Sequence, residues 1–423
     1  MRDKKNEKFW GTEKTYEVYK KWPPPRVLSL PLYKSPSQNI FKPIFLIFGM
    51  YFHIITTVEC NSQCRYCYKK SWEDLENSPS SGKTLNENFN FDFATPPKIE
   101  YPIEDLKKFL SKEGSHTLTF YGGEPLTEID KIKEIMDKIP ARYMIQTNGL
   151  LLDKLDKKYV NQFKILLVSI DGIKEITDFN RGKGTYEKVM SNINIIRKNG
   201  FSGEIIARMV VDEYSNVSSN VKHLFEIGFD SVHWQLDAGF YSSDFSKRKF
   251  ADYIKKYNLQ VKELANWWLE EMAQGRVRKI YPFLGIFESL YYGKKEKLRC
   301  GSGYANYTIS TNGNIAACPI MHDAQKFQVG NISSENPEKL KKIYVASPCT
   351  SCDIKDLCGG RCLYANKAKL WPEEGENLIC DSVRNLIDSI KKILPQIKAL
   401  IEKGTINLEQ FNYEKYSGPE IIP

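Results

Sequence analysis

The sequence predicts an α/β protein: a parallel sheet curled into a partial barrel, followed by a small loop-rich region crowded with cysteines. Three observations carry that expectation. From Met50 to about Ala238, strand-like and helix-like segments alternate, which implies successive βα units with right-handed crossovers. The apolar residues of Ile165–Ile170 are nearly continuous, as in a parallel strand covered on both faces. All ten cysteines fall into two clusters with metal-ligand spacing: Cys60-x3-Cys64-x2-Cys67, and seven more between Cys300 and Cys380.

Residues 1–49 are rich in Lys, Glu and Pro, with Pro23-Pro24-Pro25 in the middle and no sustained period. They are expected to form a poorly structured extension, with Met50 an alternative initiator. The barrel is expected over 50–238. Its strands are placed at Tyr51–Val58, His116–Phe120, Tyr143–Thr147, Ile165–Ile170, Glu204–Val211 and Ser231–Leu236. Helices are placed between them at Ile103–Leu110, Ile129–Asp137, Tyr186–Lys198 and Val217–Ile227. The polar stretch Ser71–Glu100 reads as a surface insertion. Residues 239–299 read as a helical linker region whose aromatic residues, among them Trp267, Trp268, Tyr281 and Phe283, belong to a core or domain interface. The cysteine-rich region spans 300–381. Residues 382–423 close the chain as a helix and tail, with Val383, Leu386, Ile387 and Ile390 at helical spacing and a kink expected at Pro395.

Bulk properties exclude several classes. A net charge of +9 on 423 residues is spread along the chain, and Lys-rich stretches are interrupted by acids. That pattern reads as solvated surface and not as a nucleic-acid patch. The longest apolar run, Ile44–Val58, contains Gly49 and His53 and falls short of the roughly 18 residues of a membrane span. Clustered thiols in a chain of this size point to bound metal in a reducing, cytoplasmic compartment and not to a disulfide framework.

The first triplet follows the first strand, which in a parallel αβ barrel places it at the C-terminal mouth, where such folds put their chemistry. Three thiolates are one short of the set a four-iron cluster needs. A zinc centre would want a fourth ligand nearby, and His53 lies inside the preceding strand. With these residues the chain resembles the radical S-adenosylmethionine superfamily. The resemblance implies a partial (β/α)6 TIM-like barrel in which Cys60, Cys64 and Cys67 hold a [4Fe–4S] cluster. S-adenosylmethionine chelates the unique iron and is cleaved reductively to a 5′-deoxyadenosyl radical. Tyr66 stands at the aromatic position that packs near the adenine. Other stretches resemble the family's cofactor-lining segments. In Tyr121-Gly122-Gly123-Glu124-Pro125, glycines allow close backbone approach and Glu124 can accept from the methionine ammonium. Thr147 and Asn148 end the third strand, and Ser169 ends the fourth. Arg181 matches a carboxylate-pairing arginine, with a surface arginine as the plain alternative. Arg208 is a weaker contact that could equally serve an internal ion pair.

The later cysteines, Cys300-x12-Gly313-x4-Cys318, Cys349-x2-Cys352-x5-Cys358-x3-Cys362 and Cys380, resemble a SPASM domain. The resemblance implies two auxiliary [4Fe–4S] clusters, one on Cys300, Cys318 and Cys362 and one on Cys349, Cys352, Cys358 and Cys380. Lys294 stands where one branch has a further cysteine, which leaves seven thiolates for eight irons. Pro319 stands where sulfatase-maturating relatives carry an aspartate base, so Asp237, His322 and Asp323 become the candidate proton acceptors. Over 50–423 the pattern, including Ser231–Asp237 and Arg299-Cys300-Gly301-Ser302-Gly303, is similar to archaeal-type peptide-modifying radical SAM/SPASM enzymes. This implies hydrogen abstraction from a peptide or protein, with a ferredoxin or flavodoxin as electron donor. Radical modification of a small molecule such as a haem precursor, and a non-catalytic iron–sulfur or zinc protein in electron transfer or scaffolding, are the rival readings.

Overall fold

The computed structural model describes residues 49–67, 95–112, 114–237, 249–369 and 373–416. The expected N-terminal extension, apart from Gly49, and most of the expected insertion at 71–100 lie outside the described residues.

Six strands follow the chain across one sheet: β1 (Tyr51–Thr57), β2 (Thr117–Gly122), β3 (Arg142–Thr147), β4 (Phe163–Ser169), β5 (Glu204–Val211) and β6 (Ser231–Leu236). Each pairs with the next in parallel. Helices cover the outer face: α1 (Ile103–Leu110), α2 (Ile129–Lys138), α3 (Lys157–Val160), α4 (Lys174–Arg181), α5 (Thr185–Lys198) and α6 (Val217–Glu226). Local chemistry starts and stops them. Glu104 and Asp105 occupy the first turn of α1 and Lys107 and Lys108 its last, which suits the helix dipole. Asn216 caps α6 by accepting from the Ser219 N–H.

Beyond the sixth strand come α7 (Phe250–Ala273), a two-residue β7 (Lys279–Ile280) beside β6, and α8 (Tyr281–Tyr292). The aromatic residues of this region are core: Trp268 and Phe283 are fully buried and pack on one another. The cysteine-rich region does not stand apart from the sheet. Its β8 (Asn306–Ile309) pairs in parallel with β1, and β9 (Asn314–Ala316) and β10 (Gln328–Asn331) extend the edge antiparallel. One ten-stranded sheet results, in the order β10-β9-β8-β1-β2-β3-β4-β5-β6-β7, open between β10 and β7. Short helices α9 (Lys355–Cys358) and α10 (Leu363–Ala368) follow.

The last helix, α11 (Glu373–Glu402), starts earlier than its apolar period suggests, because Glu373, Glu374 and Glu376 supply a favourable acidic first turn. It runs on across Pro395 as one helix and lies along α7, where the Asn385 side chain donates to the Asn258 carbonyl. After it the chain returns to the N-terminal end of the barrel. There Glu414 accepts from the Tyr51 hydroxyl at 2.6 Å and pairs with the Arg142 guanidinium through two hydrogen bonds, at 3.1 and 2.8 Å. Tyr413 and Tyr416 pack against an inner cluster of Tyr51, Met144, Ile165, Leu167, Ile206 and Tyr281. The tail thus closes the floor of the barrel, and the opposite end carries the cysteine loop.

Candidate functional site

The loop after β1 holds Cys60, Cys64 and Cys67, and the two residues between the last pair anchor it. The Arg65 backbone N–H donates to the Asn180 carbonyl at 2.8 Å, and its guanidinium reaches the Asn180 side chain at 3.0 Å and the buried Asp212 carboxylate at 2.5 Å. Phe179 and Tyr214 flank that guanidinium at 5.1 and 5.4 Å. Tyr66 turns the other way and donates to Asp171 at 2.6 Å, with the Arg181 guanidinium over its ring at 5.4 Å. Arg181 completes this set with a bidentate pair to Asp171, at 3.0 and 2.8 Å. Burial opposes the Arg181 charge, but the Asp171 carboxylate beside it more than offsets this and holds it above its ordinary range.

The reading of Arg181 as a surface residue is therefore overturned: it is 8% exposed and shares a buried polar cluster with Tyr66 and Asp171. Asp171 was not singled out from sequence. Its signal was its place directly after a buried strand, where a carboxylate needs a partner. Helix α4, which supplies Asn180 and Arg181, escaped the periodicity because its buried residues are polar: Thr177, Asn180 and Arg181.

The Gly122-Gly123-Glu124 segment ties the second strand to the same loop. The Gly123 N–H donates to the Thr57 carbonyl and the Glu124 N–H to the Glu59 carbonyl, both at 2.9 Å. A Cβ on Gly122 would lie 2.1 Å from the Thr57 oxygen, and one on Gly123 would lie 2.0 Å from the Glu59 oxygen. The close approach that requires glycine here is to the backbone leading into Cys60. Glu124 is fully buried and accepts from Leu126 N–H at 3.0 Å, Thr147 Oγ1 at 2.7 Å and Asn148 N–H at 2.6 Å. Burial pushes its carboxyl up to about 7. A carboxylate has about four acceptor positions, so one remains for a further donor. Asn148 in turn donates to Asn61 in the cysteine loop at 2.6 Å.

Ser169 ends β4 half-buried, in register with Arg208 on β5. Arg208 is 7% exposed and contacts His233 Nε2 at 3.2 Å. Among the described residues it forms no ion pair, so the alternative of an internal ion pair fails. The three candidate proton acceptors stand on two segments. Asp237 follows β6, its N–H donating to the Val211 carbonyl at 2.7 Å. His322 and Asp323 follow Cys318 and lie 2.8 Å apart, with Thr95 donating to Asp323.

The seven later thiols fall among distinct neighbours. Burial raises Cys318, and the thiols of Cys362 and Cys300 raise it further. Burial likewise raises Cys358, to about 11, where Cys349 and Cys380 add to it and Arg361 opposes. Cys380, on α11, is raised by burial and then by Cys349 and Cys352, again against Arg361. Three successive residues with positive φ, Gly359, Gly360 and Arg361, turn the chain between Cys358 and Cys362. The Asn366 amide donates to Cys349 Sγ at 3.4 Å, and Arg384 approaches Cys352 Sγ at 3.7 Å. Lys294 pairs with Glu288. Among the described residues no three His, Cys, Asp or Glu side chains converge on the position of a single ion.

Residues 54–227 match the Radical SAM superfamily. These residues form a radical SAM domain. Radical SAM proteins are enzymes that bind a [4Fe–4S] cluster and S-adenosylmethionine, and Cys60, Cys64 and Cys67 are the residues here that fit such a cluster. The chain is 24% identical over 357 residues to the cysteine-type anaerobic sulfatase-maturating enzyme of Clostridium perfringens, covering 78% of this chain and 92% of that one. It is 23% identical over 298 residues to the antilisterial bacteriocin subtilosin biosynthesis protein AlbA of Bacillus subtilis, covering 67% and 57%. Its fold superposes on the structure of anSMEcpe with bound AdoMet and Kp18Cys peptide, with a TM-score of 0.62, 19% identity and coverage of 84% of this chain and 99% of that one. No helix among the described residues is long and apolar enough to cross a membrane.

Proposed function

We propose that this radical SAM enzyme abstracts hydrogen from a peptide or protein and so modifies it. The observation that carries the reading is the anchoring of the cysteine loop at the barrel mouth by Arg65 and Tyr66, with a second field of thiols joined to the same sheet through β8. Similarity to a sulfatase-maturating enzyme and to a bacteriocin biosynthesis protein supports a peptide or protein as substrate.

A reduced cluster held by Cys60, Cys64 and Cys67 would supply one electron to bound S-adenosylmethionine, whose reductive cleavage to methionine would provide the radical that takes the hydrogen atom. This chain's residues bind and orient. Cys60, Cys64 and Cys67 hold the first cluster, and Glu124 offers its remaining acceptor position to the cofactor's ammonium. Tyr66, Thr147, Asn148, Ser169 and Arg181 line the cofactor, and the Asp171 carboxylate fixes Arg181. Cys300, Cys318 and Cys362 hold one auxiliary cluster, and Cys349, Cys352, Cys358 and Cys380 a second. Asp237, His322 and Asp323 are the groups offered as proton acceptors, and a ferredoxin or flavodoxin supplies electrons in a reducing cytoplasm.

Anaerobic reconstitution tests this. We expect iron and sulfide for three clusters and 5′-deoxyadenosine on reduction. Cys64→Ala abolishes that product, whereas Cys352→Ala retains part of it without coupled turnover. Iron for one cluster, bound zinc, or full turnover in either variant contradicts the assignment.

A further inference from the structure

Arg208 lies in the barrel interior and, among the described residues, forms no ion pair. Strand register sets Ser169 beside Arg208 and Arg208 beside His233, so the three side chains share one face of the sheet. Arg208 and His233 are 7% and 1% exposed. The Arg208 charge is felt by His53 of β1, whose imidazole it helps to keep neutral after burial. His53 and Tyr121 themselves pack edge to face at 5.4 Å.

The donors in this cluster outnumber the acceptors. Arginine has only donors, so at the 3.2 Å contact between Arg208 Nη1 and His233 Nε2 the imidazole must accept. That places the ring proton on Nδ1. His233 Nδ1 and Arg208 Nε are both buried without a hydrogen-bond partner. The neighbouring cation, Arg181, is already answered by Asp171. His53 stays neutral, held at about 4 by burial, and its Nδ1 is engaged with Asn306 Oδ1 at 3.0 Å. One positive charge and two orphaned N–H groups are left over. Buried charges persist where an opposite charge meets them, and orphaned donors where an acceptor does.

We propose that Arg208 and His233 form an anion site inside the barrel that takes a carboxylate of the substrate, either an acidic side chain or a C-terminus. The site is assigned to the substrate and not to the cofactor because Arg208 and His233 stand on β5 and β6, four and five strands along the sheet from β1, whose end carries the Cys60 loop. The inference rests on the reading above, in which the substrate is a peptide or protein.

The test is thermal unfolding of the reconstituted full-length chain at constant ionic strength, with glutarate or its neutral counterpart glutaramide, with and without saturating S-adenosylmethionine. Glutarate is expected to raise the wild-type midpoint and glutaramide to leave it unmoved. The glutarate shift is lost in Arg208→Gln, partly kept in Arg208→Lys, and survives saturation with S-adenosylmethionine. The lysine variant carries the test if the glutamine variant does not fold. Absence of a glutarate shift in the wild type, or an undiminished shift in both variants, overturns the site. A shift abolished by S-adenosylmethionine gives the carboxylate to the cofactor and overturns the substrate assignment. Iron content and 5′-deoxyadenosine formation in the same preparations report separately on the proposed function.

Discussion

At the scale of single residues, the site is built from buried polar groups, and Glu124 is the most heavily hydrogen-bonded of them. Glu124 receives two backbone N–H groups and one hydroxyl. Glu124→Gln keeps the volume but turns one acceptor into a donor facing donors. We expect a loss of about 1–3 kcal/mol, read as a lower denaturation midpoint, together with weaker S-adenosylmethionine binding. Asp171→Asn leaves Arg181 buried without its partner charge, and removal of one member of a buried pair costs about 3–5 kcal/mol. Urea unfolding of that variant beside the wild type checks the figure. His53 sets a pH dependence. Burial first, and the Arg208 charge as well, hold it at about 4 against the ordinary 6.5 of a histidine, while the Asn306 hydrogen bond opposes this. Above pH 6.5 it is neutral in both states and its contribution is fully present. As pH falls from 6.5 towards 4, the unfolded chain takes up a proton that the native state refuses, so stability declines, and below 4 the loss is complete. His53→Gln should flatten the stability profile across that window, by up to about 3 kcal/mol at its acid end. Equal slopes in the two proteins would count against a buried neutral His53.

At the scale of elements, the cysteine loop is positioned from two sides, by the end of β2 and by α4. Gly123→Ala drives a Cβ to 2.0 Å from the Glu59 carbonyl, a backbone atom directly before Cys60. The expected result is loss of the first cluster's iron and of 5′-deoxyadenosine formation, with the iron of the other thiols retained. Uniform loss of iron would show instead that the fold as a whole had failed. The strands were the most legible elements: Glu204–Val211 and Ser231–Leu236 carry β-branched and aromatic residues between clear turn signals, and β5 and β6 occupy those spans. Helix α4 was not legible. Burying Thr177, Asn180 and Arg181 against the cysteine loop inverts the polarity that a hydrophobic period relies on.

At the scale of the whole molecule, the two ends of the barrel are made by chain that is distant in sequence. The floor depends on the tail, where Glu414 joins Tyr51 and Arg142. Glu414→Ala should lower the thermal midpoint, by about 1–3 kcal/mol of stability, because Arg142 and the Tyr51 hydroxyl lose a shared acceptor in a largely covered site. Calorimetry of the variant checks this, and an unchanged midpoint would mean that the floor is held by its aromatic packing alone. The later cysteines join the barrel through the β1–β8 pairing, a contact across some 250 residues that no local pattern announces.

The sequence by itself determined which atoms could do chemistry: the ten thiols and their spacing, Glu124 after two glycines, and the succession of parallel βα units. These follow from covalent neighbours and short-range periodicity. Only the tertiary structure decided which buried charges meet. It joins Asp171 to Arg181 and Tyr66 and Arg65 to Asp212, and leaves Arg208 facing His233 with no ion pair among the described residues. The reason is physical. An ion pair is set by strand register and by the return of distant segments, and neither is encoded in the residues beside the charge.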